Sequence, residues 1–130
     1  MAAGSGGFVM HGSAQGPLAG VSVASAGDFN GDGYADLLIG AYNRHPSGLE
    51  SAGSSYVIFG SASGFAANLN LSALNGTNGF EITGETAFDS SGKAVSGAGD
   101  INGDGYADLL IGAGARDAGG TNAGAAYVLF

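Results

Sequence analysis

Asp28-Phe29-Asn30-Gly31-Asp32-Gly33-Tyr34-Ala35-Asp36 is spelled a second time as Asp100-Ile101-Asn102-Gly103-Asp104-Gly105-Tyr106-Ala107-Asp108. Both copies run on into Leu-Leu-Ile-Gly-Ala, so 28–41 and 100–113 differ only at Phe29 against Ile101. Oxygen-bearing side chains stand at loop positions 1, 3, 5 and 9, with glycines at 4 and 6. That is the spacing with which a short loop wraps Ca²⁺, a hard ion taking six to eight oxygens. Asp28, Asn30 and Asp32 supply alternate side-chain oxygens, the Tyr34 carbonyl adds a backbone oxygen, and Asp36 closes the shell with its carboxylate. Asp100, Asn102, Asp104, Tyr106 and Asp108 repeat the set, giving two ions per chain. Gly31 and Gly33 supply the positive φ that so tight a loop requires.

Two other readings of the loop fail. A helix–loop–helix calcium site needs Glu at position 12, where this chain has Ile39 and Ile111, and a helix where it has Leu-Leu-Ile-Gly-Ala. A plain turn explains Asn-Gly-Asp-Gly, but not three uncompensated carboxylates in each of two copies.

The duplication extends beyond the loops. Residues 7–12 match 79–84, and 20–27 match 92–99, at an offset of 72. Residues 52–59 match 123–130 at an offset of 71. Each unit offers short strands bounded by Gly, Asn, Asp or Ser. They fall at 20–27, 36–41, 54–59 and 79–84, then at 92–99, 108–113 and 124–130, with a further candidate at 7–12. Leu37-Leu38-Ile39 is a continuous apolar run, as in a strand covered on both faces. Strand 20–27 is instead built of small residues with Val interspersed. The long connection 60–78 reads as an excursion on the rim, with Leu69, Leu71 and Leu74 able to support one short helical turn. No segment sustains a helical period, so the chain is all-β. A small-residue inner strand leading to bulkier outer ones describes a β-propeller blade, crowded at the axis and wider outside. The expected organisation is a leader at 1–6, a first repeat at 7–60, a connecting excursion at 61–78 and a second repeat at 79–130.

The Phe59-Gly60 pair, Gly40-Ala41-Tyr42 with Gly112-Ala113-Gly114, and the two Asp-rich loops together resemble the FG-GAP repeat of integrin α-subunit propellers. The Pro of that motif is missing from both copies. The resemblance implies four-stranded blades, calcium loops that pin the fold from the face opposite the main ligand surface, and an extracellular or cell-surface parent protein. Two blades do not close a ring of typically four to eight. The second set of strands ends at Phe130 without a fourth member, while 7–12 has no set of its own. Strand 7–12 is therefore expected to complete the last blade of a neighbouring copy, head to tail, in a cyclic trimer or tetramer.

Composition narrows the function. Eleven acids against three Lys and Arg give a net charge of −8. Six of the acids are loop residues, and two bound Ca²⁺ would halve the charge. So few cations argue against nucleic acid. Glycine is 27 of 130 residues, yet 45% are hydrophobic, too many for a disordered chain. There is no cysteine, hence no disulfide framework. No apolar run reaches a membrane span, and the start lacks a signal-peptide pattern. No nucleophile, phosphate-loop or metalloprotease motif occurs. His11 and His45 have no partners at ligand spacing, and Glu81, Glu85 and Asp89 read as solvated surface. The reading is a calcium-stabilised adhesion-type scaffold, not an enzyme. A lectin is the alternative, with Tyr42 as a candidate sugar platform, although its counterpart is Gly114.

Overall fold

The computed structural model describes residues 6–12, 18–117 and 119–130. The leader expected at 1–6 lies, apart from Gly6, outside the described residues. Strands β1 (Val9–His11), β2 (Ser22–Gly27), β3 (Asp36–Ala41), β4 (Ser54–Ile58), β5 (Asn68–Asn70), β6 (Gly79–Thr83), β7 (Ser91–Gly99), β8 (Asp108–Ala113) and β9 (Ala125–Leu129) make the chain all-β. Two single 3₁₀ turns, Pro46–Gly48 and Leu71–Ala73, interrupt the loops.

The first sheet runs β2-β3-β4-β6 and is antiparallel throughout, the meander of a four-stranded blade. The second runs β7-β8-β9 and repeats the first three strands. Neither sheet closes on itself. The apolar run of β3 is covered on both faces, as its sequence requires. Leu37 and Ile39 point to one side, and Leu38 points to the other.

On the Leu38 side the two sheets meet. Ala26, Leu38 and Val57 of the first sheet and Leu109 of the second form a fully buried cluster, edged by Phe29, Phe59, Phe80, Ile82, Val95 and Leu129. Each buried Leu or Val contributes about 1.5–3 kcal/mol relative to exposure. Nearer the inner edge the sheets touch backbone to backbone. Ser22 Oγ donates to the Gly92 carbonyl at 2.8 Å, and a Cβ on Gly92 would lie 2.3 Å from the Ser54 carbonyl oxygen. Small residues on the inner strands are what this approach demands.

On the Ile39 side the excursion makes one short helical turn, Leu71–Ala73, as its leucines allow. It also forms strand β5 and packs on the sheet, which the reading as a rim loop did not include. Asn70 Oδ1 caps the turn by accepting the Ser72 N–H at 3.0 Å. Leu71 is buried with Ile39, Ala41, Tyr56 and Ile58, and Met10, Leu69 and Leu74 pack around them. Strand β1 pairs parallel with β5, Met10 opposite Leu69. In the single chain, then, 9–11 lies along the excursion and not beside β9. The physical reason is that Met10, Leu69 and Leu71 cover apolar surface that the first sheet would otherwise expose.

Candidate metal centre

Each Asp-rich loop joins the inner strand of a sheet to its neighbour, β2 to β3 and β7 to β8. Gly31, Gly33, Gly103 and Gly105 all take positive φ, between 74° and 93°, which lets the loop curl back on its own carboxylates. In the first loop Asp28 Oδ2 accepts the Gly33 N–H at 3.0 Å. Asn30 Oδ1 accepts the Asp32 N–H at 3.1 Å, and Asp32 Oδ1 accepts the Tyr34 N–H at 2.9 Å. Asp32 Oδ2 takes the Asn30 amide at 2.9 Å. The second loop repeats this geometry with Asp100, Asn102 and Asp104, from the Gly105 N–H on Asp100 to the Tyr106 N–H on Asp104.

Asp36 and Asp108, at position 9, are wholly buried at the loop bases. Asp36 Oδ2 accepts the Phe29 N–H at 2.9 Å, and Oδ1 accepts the Gly60 N–H at 2.8 Å. Asp108 Oδ2 takes the equivalent Ile101 N–H at 2.7 Å, and the place that Gly60 fills on Asp36 Oδ1 corresponds to a position after Phe130; the buried Asp28 Oδ1 has no partner among the described residues. Buried carboxylate oxygens without a donor are costly and ask for one. The donors available in each loop, carboxylates, an amide oxygen and a backbone carbonyl, are those of a hard cation. An oxygen that already accepts one N–H still has a lone pair to give. The residues fit calcium chemistry on these grounds. Among the described residues, however, no three acidic, His or Cys side chains already converge as a metal cluster. The loop carboxylates instead face backbone amides.

The FG-GAP repeat profile matches residues 19–58 and 91–129, the two sheets with their loops. The chain belongs to the FG-GAP repeat family. It is 36% identical over 94 residues to integrin alpha pat-2 of Caenorhabditis elegans, and equally so to integrin alpha pat-2 of Caenorhabditis briggsae. The match takes in 72% of this chain but 7% of the length of those integrins.

The FG-GAP units carry a second repeated feature, which sequence reasoning missed. Arg44 Nε donates to the Tyr56 hydroxyl at 3.3 Å and lies 3.4 Å from Glu81 Oε1, which also accepts Ser54 Oγ at 2.7 Å. Its counterpart Arg116 donates to the Tyr127 hydroxyl and to Asp89 Oδ2 at 2.9 Å, with Glu85 Oε2 at 2.8 Å. Glu81 and Asp89 are thus ion-paired, and Asp89 is buried, where free solvated surface was expected. The matched Arg44/Arg116 and Tyr56/Tyr127 pairs were the signal. Burial raises the Tyr56 hydroxyl above its ordinary range, the Arg44 hydrogen bond partly opposing it. Tyr42, the candidate sugar platform, is half-buried with the Lys93 ammonium 6.0 Å from its ring centre. His11 and His45 are exposed, and among the described residues their partners are Asn68 and the Ser51 amide.

Proposed function

We propose that the chain is a calcium-pinned, integrin-like propeller module with an adhesion-type, protein-interaction role and no catalytic one. The observation that carries this is the buried, unpartnered Asp28 Oδ1 in a loop whose Asp, Asn and Asp oxygen donors at positions 1, 3 and 5 recur in a second copy. Asp28, Asn30, Asp32, Asp36 and the Tyr34 carbonyl would hold one Ca²⁺, and Asp100, Asn102, Asp104, Asp108 and the Tyr106 carbonyl a second. A bound ion supplies positive charge that neutralises three carboxylates per loop. The integrin relatives support an extracellular or cell-surface parent protein. Among the described residues no helix is long and apolar enough to cross a membrane.

The module is completed by a further blade. Leu110 and Val128 are 39% and 41% exposed, whereas their counterparts Leu38 and Val57 are fully buried against the second sheet. A second copy is one source of that blade, through the cyclic head-to-tail assembly. Such an assembly requires the 66–74 segment to leave the Ile39 face, since a head-to-tail contact joins two different faces. The repeat boundaries at 7–60 and 79–130 belong to this reading.

Thermal unfolding in Ca²⁺, in Mg²⁺ and in chelator tests the calcium role. At about 1.5 mM Ca²⁺ and a Kd of about 0.1 mM, each site adds about 1.6 kcal/mol. Chelation should then lower Tm by roughly 10 °C, with Mg²⁺ restoring little of it. An unchanged Tm would remove the proposal. A glycan array with strong binding to one sugar class would favour the lectin reading instead.

A further inference from the structure

The two Asp-rich loops touch, and the contact involves their metal-donor residues. Ala107 donates its N–H to the main-chain carbonyl of Asp28 at 3.2 Å. A Cβ on Gly27 would come 2.6 Å from Ala107 Cβ, and a Cβ on Gly31 would come 2.2 Å from Tyr106 Cε1. The Tyr106 ring therefore rests on the backbone of the first loop with no room for a side chain between them. Tyr106 and Asp108, donors 7 and 9 of the second loop, bracket the residue that is bonded to Asp28, donor 1 of the first. The same positions of the second loop receive nothing. A Cβ on Gly99 or on Gly103 would meet no atom of the described residues within 4 Å.

We propose that Tyr106-Ala107 couples the two loops, so that Ca²⁺ held by one raises the affinity of the other. This rests on the calcium reading above. Ordering Asp28 fixes the carbonyl to which Ala107 is bonded, and so fixes the backbone between the Tyr106 and Asp108 donors. The second ion then meets a loop already ordered and loses less conformational entropy in binding, which is positive coupling without a large structural change. Tyr34, at the same position of the first loop, is packed instead beside Gly60, where an added Cβ would come 2.7 Å from Tyr34 Cβ.

Native mass spectrometry along a Ca²⁺ titration of the whole chain reads the coupling directly. Two independent sites leave at least about half of the molecules singly loaded at half-saturation. A fivefold coupling reduces that share to about 30%. The expected result is a singly loaded share near 30% in wild type, returning to half or more in Tyr106→Ala, whose backbone carbonyl is retained. A wild-type share of half or more, with two ions still bound at saturation, overturns the coupling and leaves the calcium reading standing. Equal shares in wild type and Tyr106→Ala overturn the role of the Tyr106 ring. Binding of no Ca²⁺ overturns both.

Discussion

Asp36 accepts the Gly60 amide at 2.8 Å across the end of β4, and through its other oxygen the Phe29 amide at 2.9 Å. One buried carboxylate thus ties the Asp-rich loop to the chain leaving β4 at the same end of the sheet. Asp36→Ala leaves two N–H groups unpaired and should cost about 2–5 kcal/mol, measured by denaturant unfolding in chelator. Performed without Ca²⁺, the measurement separates this role from ion binding. Asp108→Ala removes only the Ile101 bond and should cost less.

The inner contact between sheets gives a second test. Gly92 has φ +83°, and a Cβ there would lie 2.3 Å from the Ser54 carbonyl oxygen. Gly92→Ala combines strain at positive φ with a backbone clash and should destabilise by about 2 kcal/mol or more. Gly114→Ala, with open space around it and no positive φ, should change stability by less than about 0.5 kcal/mol.

The Tyr56 hydroxyl sets an alkaline limit. Its folded-state pKa is raised, chiefly by burial, above an unfolded value of about 10. A group that holds its proton more tightly when folded contributes stability below pH about 10 and loses it as the pH rises further. Unfolding between pH 9 and 11 should show this loss, and Tyr56→Phe should reduce it.

Association through the second sheet is tested at its apolar face. Val128→Lys places an ammonium where Val57, its counterpart, is fully buried. Sedimentation equilibrium should show wild type heavier than the 12.5 kDa chain and the variant reduced to monomer. A monomeric, folded wild type would exclude self-association.

Much of this was legible in the sequence. The strands at 36–41 and 108–113 follow from a continuous apolar run begun by an Asp, and the first sheet has the four strands and order read from the repeat. The excursion was less legible, because Leu69, Leu71 and Leu74 allow a short helical turn without saying which surface it covers. Only the uncovered Ile39 face explains why they pack there. The Arg44–Glu81 and Arg116–Asp89 pairs join residues far apart in the chain, and a lone charge in a loop looks the same whether paired or solvated. The seat of Tyr106 on Gly31 depends on how one sheet lies against the next, which loop spacing does not encode.

Equilibrium dialysis against Ca²⁺ near 1 mM bears most directly on the role of the loops. Two ions retained per chain, falling to one in Asp32→Asn and one in Asp104→Asn, is the expected result. A chain that stays folded and retains none would contradict it.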